Sequence, residues 1–142
     1  MDISLLHREN TGLVIIDMQE KLMAEIQENL RSYDPIEKME FNALGVEAFN
    51  KRLEEVRLHN IVLMGVETHV CVFQTCVSLL ERGYRVHIPH QAVGSRTSDN
   101  RRIGLSLMRD SGALITSTET IIFQLLQKAG TKQFKAMLKY VK

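Results

Sequence analysis

The sequence predicts an α/β fold, a three-layer parallel sheet with helices on both faces, and three observations support it. Short runs of continuous apolar residues recur, LVII at 13–16, IVLM at 61–64 and ALI at 113–115, as strands buried on both faces require. Between them lie segments whose apolar residues return every three or four positions, the mark of amphipathic helices. The two patterns alternate four times, with no repeat, low-complexity segment or Gly/Ser linker between them. That order is the one a parallel sheet with crossover helices needs.

A chain of 142 residues reads as one domain, 1–142, long enough to bury about two-thirds of its unfolded surface. Its 18 basic and 17 acidic residues are scattered and leave a net charge of +1. That balance gives no electrostatic footprint for nucleic acid or for an anionic membrane. Cys71 and Cys76 are too few and too close for a disulfide framework, and there is no Cys-x-x-Cys pair for zinc or redox work. The first ten residues lack the apolar core of a signal peptide, and no apolar run approaches the ~20 residues of a membrane span. The expectation is a soluble, cytoplasmic protein.

Taken in order, Gly12 opens the first strand, Leu13 to Asp17, which puts Asp17 at a carboxyl end. MQEKLMAEIQENL follows with Leu22, Ile26 and Leu30 at helical spacing. Pro35 then breaks any helix, so Arg31 to Leu44 reads as loop with a short extended piece at Ile36 to Met39. Lys38 in that loop reads, on composition alone, as an ordinary solvated lysine. Val46, Phe49, Leu53 and Val56 predict a helix that ends at the His59-Asn60 turn and feeds the strand from Ile61. After the Cys71 helix, Gly83 marks a C-cap and YRVHIP, Tyr84 to Pro89, a third strand with His87 as a packed residue. His90 to Asn100 is the next carboxyl-end loop, with Ser98 or Asp99 as helix cap and Ile103, Leu107 and Met108 as the apolar edge. ALITST is the fourth strand, and Thr116 to Glu119 a capping box for a helix stopped by Gly130. A basic amphipathic helix with Phe134, Met137 and Leu138 packed inward closes the chain.

The most informative stretch is IVLMGVETHVCVFQTCVSLLERGYR, Ile61 to Arg85. It reads as a buried strand, a tight turn at Gly65 and a helix. In an open α/β sheet the ligand crevice lies outside the carboxyl ends of the strands, and Cys71 stands there at a helix start. The helix dipole and unpaired N–H groups would favour thiolate and lower its pKa. As a nucleophile it would need a base, and Asp17 ends another strand. The alternative is that Cys71 is a small buried apolar residue, as Cys76 is read to be from its place beside Val72, Val77 and Leu80.

At these residues the sequence resembles the isochorismatase-like cysteine hydrolases, which include nicotinamidases and N-carbamoylsarcosine amidases. The resemblance is carried by LVIIDMQEKL, by EKMEFNAL, and by GVETHVCVFQTCVSLLERGYRV followed by SR, MRDSGA and TSTE. It implies Cys71 as nucleophile, Asp17 as general base and Lys38 as the third member of a triad. It further implies a non-proline cis peptide between Val66 and Glu67, with the backbone N–H groups of Glu67 and Cys71 facing an oxyanion. Gln19, Val66 and Glu67 would then border the substrate. The implied activity is metal-independent hydrolysis of a small amide, or less favourably an enol ether, through an acyl-enzyme.

The departures from that family are equally specific. A helix-strand unit of ~30 residues or more that members carry before the lysine loop is largely absent, which would leave the Asp17 strand at an edge with unpaired N–H and C=O groups. Such an edge predicts a homo-oligomer, and it opens the alternative of a catalytically impaired binding or scaffold module. The strand end that supplies metal-binding histidines in nicotinamidases is lost with it, so no metal or other cofactor is expected. Gln91 stands where the family usually has an aspartate. A nucleotide-binding module is disfavoured because MQEKL, not a glycine-rich loop, follows LVIID.

Overall fold

The computed structural model describes residues 5–17 and 35–141. The helix expected over 18–30, Gln19 and the first part of the following loop lie outside the described residues. Five strands form one parallel sheet: β1 (Thr11–Ile16), β2 (Asn60–Val66), β3 (Arg85–Pro89), β4 (Val93–Gly94) and β5 (Leu114–Thr116). The order is β1-β2-β3-β5, with β4 pairing β2. The helices are α1 (Glu47–Val56), α2 (Phe73–Glu81), α3 (Ser98–Asp110), α4 (Thr118–Leu126) and α5 (Lys132–Met137).

Alternation along the strands sorts side chains onto two faces. Ile16, Ile61, Leu63, Val86 and Ile88 form one face, packed with Leu53 of α1, Cys76 and Leu79 of α2, and Met108 of α3. Val62 belongs to the other, with Leu6 and Ile121 of α4. Helices therefore cover both faces, as the recurrence of apolar runs predicts. The β2 residues Asn60 to Leu63 are all buried, which explains why IVLM shows no polar alternation. Its neighbour β1 pairs only with β2 among the described residues, and Leu13 on it is 52% exposed. This is the edge position anticipated for the Asp17 strand.

Several local expectations are corrected by the structure. The loop after Pro89 is not wholly irregular, because Val93–Gly94 adds a short parallel strand against Gly65 and Val66. β3 pairs with the first half of β2 through Arg85 to His87, then with β5 through His87 to Pro89, so room opens beside the end of β2 for β4. The cap of α3 is Thr97, whose extended backbone lets its side chain accept from Asn100 N, while Ser98 is already helical. Ser117, not Thr116, caps α4. That helix ends at Leu126 with Gln127 at φ 59°, before Gly130 is reached. Residues 35–39 are loop without a strand. Within α5, Phe134 tilts against Phe123 at 6.2 Å between centroids, but Leu138 lies past the helix end and is exposed.

Candidate active site

The carboxyl ends of β1 and β2 converge because the backbones touch. Gly65 has φ +143°, and a Cβ there would lie 2.2 Å from the Ile16 carbonyl oxygen. Only glycine allows this approach. Immediately beyond, Asp17 and Glu67 leave their strands in the left-handed region, at φ 53° and 57°. Two non-glycine residues held there at adjacent strand ends store backbone strain, a feature concentrated at functional sites.

Cys71 does not begin an ordinary α-helix. Thr68–Val72 form a π turn that passes into α2, and Val70 N donates to the Glu67 carbonyl at 2.9 Å. Thr68, wholly buried, donates its hydroxyl to the Gly94 carbonyl at 2.8 Å, tying the turn to β4. On the other side α3 rests directly on it: a Cβ on Gly104 would lie 2.8 Å from His69 N. The turn is thus clamped between β4 and α3, a reason for conserving its geometry that no periodicity reveals. The peptide between Val66 and Glu67 is trans, as are all among the described residues, which corrects the expected cis bond. The left-handed conformation of Glu67 makes the change of direction instead.

The structure brings Asp17, Lys38 and Cys71 together. Lys38 Nζ lies 2.5 Å from Asp17 Oδ1 and donates to the Glu40 carbonyl at 3.0 Å. At 14% exposure its side chain is far from the solvated lysine that composition suggests. The Cys71 thiol, 6% exposed, lies beside the Asp17 carboxylate. Its pKa is pushed up to about 11, first by burial, then by the neighbouring Asp17 carboxylate; Lys38 opposes and Glu67 adds to the rise. The expected lowering by a helix N-terminus is overturned, because burial and two carboxylates outweigh the ammonium. Cys76 is fully buried among core residues, as read, and burial alone raises its thiol to about 12.

A second group surrounds the turn. Arg96 Nε lies 3.2 Å from Glu67 Oε1, and His69 Nδ1 lies 3.1 Å from Ser95 Oγ and 3.7 Å from Glu67 Oε2. Ser95 and Arg96 are the SR pair of the resemblance, and His69 lies within its GVETHVCV block without a role assigned to it from the sequence. Val66, half-buried, pairs with Gly94. Gln91 accepts from Thr118 N at 3.1 Å and so helps cap α4, a structural use for the residue that replaces the family aspartate. Among the described residues no group of three His, Cys, Asp or Glu is placed to hold a metal ion, and no helix is long and apolar enough to cross a membrane.

The Isochorismatase domain model matches residues 23–120. The chain belongs to the isochorismatase family. The secreted isochorismatase effector Isc1 of Phytophthora sojae is 42% identical over 124 residues, which span 84% of this chain and 59% of that protein. The matched region covers 41% of isochorismatase family protein 1B of Dictyostelium discoideum, which is 49% identical over 85 residues and 60% of this chain. The chain thus spans about half the length of the curated relatives it matches. Among solved structures, a MAR1 ribonuclease from Caenorhabditis elegans superposes with a TM-score of 0.85 at 25% identity, covering 97% of this chain and 92% of that one. The YcaC gene product of Escherichia coli, described as an octameric hydrolase of unknown specificity, shares the fold with a TM-score of 0.68 at 20% identity, over 82% of this chain and 58% of its own.

Proposed function

We propose that this isochorismatase-family chain is a metal-independent cysteine hydrolase of a small amide. One observation carries the reading: a single carboxylate, Asp17, is ion-paired to the Lys38 ammonium and lies beside the buried Cys71 thiol. At rest the thiol is protonated and Asp17 is its acceptor. As substrate closes on the sulfur, Asp17 takes the proton and loses its negative charge. Both of its contributions to the high thiol pKa then vanish, while the Lys38 ammonium stays to stabilise the thiolate.

Attack on the amide carbon gives a tetrahedral intermediate whose oxygen faces the backbone N–H groups at Glu67 and Cys71. The proton on Asp17 passes to the leaving nitrogen, and a thioester to Cys71 remains. Water, deprotonated by Asp17, then releases the acid and restores the thiol. Val66 and Glu67 border the substrate in this reading, and the resemblance adds Gln19, which lies outside the described residues. A screen of small primary and secondary amides for released amine tests it: Cys71→Ala should be inactive with an unchanged fold, and a variant as active as the parent would overturn the thiol mechanism.

The edge strand favours a second reading. One side of β1 is unpaired among the described residues; if the flanking unit that the resemblance implies is missing from the pocket, the chain would act as an oligomeric binding or scaffold module with an impaired site. Sedimentation combined with the amide screen separates the two, since an assembled protein with an alkylatable Cys71 and no turnover on any amide supports the scaffold.

A further inference from the structure

We infer that Glu67 is the specificity-determining residue of this site, its carboxylate selecting substrates that bring an ammonium, an amidinium or an amide N–H donor beside the scissile carbonyl. The inference rests on the hydrolase reading above and names the substrate class for it. It stands on the placement of the side chain. Glu67 follows the last residue of β2 and opens the turn that carries Cys71, so the carboxylate stays with the nucleophile whatever the loops do. Its backbone is held at φ 57°, ψ 59°, a conformation that an ordinary non-glycine residue adopts only when its surroundings enforce it.

The two carboxylate oxygens are unequally served. Oε1 takes the Arg96 guanidinium at 3.2 Å. Oε2 is buried and has no hydrogen-bond donor among the described residues. The nearest cationic candidate is His69 Nδ1 at 3.7 Å, beyond hydrogen-bond length, and that nitrogen is already engaged with Ser95 Oγ at 3.1 Å. A buried carboxylate oxygen left without a donor is costly, and a ligand that supplies one is favoured by that amount.

Arg96 shows what the carboxylate accepts. Its side chain is 78% exposed while its Nε sits on Glu67, and an ion pair so open to water is held weakly. It acts as a resting occupant of Oε1 that a substrate cation can displace. An anionic substrate would meet Glu67 and Asp17 together. The electrostatics of the thiol agree, since the Glu67 charge reaches Cys71 and raises its pKa. A cation seated on Glu67 would cancel that contribution and ease formation of the thiolate, linking the choice of substrate to activation of the nucleophile.

Three methanethiosulfonate reagents test this on the intact chain: neutral methyl, cationic 2-aminoethyl and anionic 2-sulfonatoethyl. Each rate at Cys71 is divided by its rate with free 2-mercaptoethanol, and Cys71→Ser confirms where the label sits. The normalised cation-to-anion ratio should exceed one by about fivefold or more at low salt and fall as salt is added. Glu67→Gln should collapse most of that preference, Glu67→Asp should keep it, and Arg96→Ala, which removes the competing cation, should enlarge it. A Glu67→Gln ratio equal to the parent's, or a preference lost in Arg96→Ala, overturns the inference while leaving the hydrolase reading intact. The neutral reagent separates the two failures: a parent Cys71 inert to it overturns both.

Discussion

Gly104→Ala places a single methyl group between α3 and the turn that carries Cys71. The added Cβ would meet His69 N at 2.8 Å, His69 Cα at 2.9 Å and the Thr68 carbonyl carbon at 2.9 Å, all backbone atoms that no rotamer change can move away. Ordinary contact begins near 3.4 Å, so helix and turn must separate by about 0.6 Å, an overpacking that typically costs ~1–3 kcal/mol. Against this, replacing glycine by alanine inside a helix contributes about 1 kcal/mol of stability. The net effect on unfolding free energy is therefore a loss of about 0–2 kcal/mol, small enough to leave the protein folded. The larger effect falls on the site, because Thr68, His69 and Cys71 share the displaced turn, and a 1 Å misplacement of reacting groups can cost on the order of a hundredfold in rate. Urea unfolding gives the first quantity and iodoacetamide alkylation of Cys71, with amide turnover, the second. A variant about 1 kcal/mol more stable than the parent, with Cys71 alkylated at an unchanged rate, would show that α3 does not brace the nucleophile.

Other substitutions probe the remaining supports. Asp17→Asn should lower the pH midpoint of Cys71 alkylation, since the Asp17 carboxylate raises the thiol pKa; a midpoint that rises or stays would remove Asp17 from the thiol's surroundings. Gly65→Ala sets a methyl 2.2 Å from the Ile16 carbonyl at a φ of +143°. It should cost more than ~3 kcal/mol, read as loss of cooperative unfolding at moderate urea, and a parent-like midpoint would contradict the close approach of β1 and β2. His87 is buried, its Nε2 has no partner among the described residues, and burial together with the Arg85 charge lowers its pKa. Because the unfolded chain binds this proton more readily, stability should decline as pH falls below the unfolded value of about 6.5. His87→Leu should flatten that acid-side slope, and an equal slope in both proteins would place the titration elsewhere. The buried thiols act in the opposite direction: with folded values of about 11 and 12 for Cys71 and Cys76, stability should drop as pH rises above the unfolded thiol value of 9.0, and Cys76→Ala should weaken that alkaline dependence.

The parallel sheet, its two covered faces and the order of its elements were legible in the chain, because burial on both sides of a strand and on one side of a helix imposes different periods on apolar residues. The run IVLM announced β2, and the return of apolar residues at Val46, Phe49, Leu53 and Val56 announced α1. Caps were read less well. The caps fell at Thr97 rather than Ser98 or Asp99, and at Ser117 rather than Thr116, since a row of Thr, Ser and Asp offers several acceptors and only the backbone angles select one. The two-residue strand β4 had no sequence signal at all. It exists because β3 turns away to β5 and leaves the end of β2 uncovered.

The site divides along the same line. From the sequence alone came the residues that chemistry requires, a cysteine and an aspartate at carboxyl ends, and with the family resemblance the lysine between them, because these are properties of residue type and of position relative to strand ends. What only the tertiary structure decided was their electrical state and their support. A helix start suggested an acidic thiol, yet burial and the charges of Asp17 and Glu67, contributed by separate strands, hold it protonated. The turn expected to need a cis bond is made by a left-handed Glu67, braced through Arg96, Thr68 and Gly104 by segments 26 to 36 residues away along the chain. Charge, burial and close backbone contact sum over every neighbour in space, so no local pattern of residues can encode them.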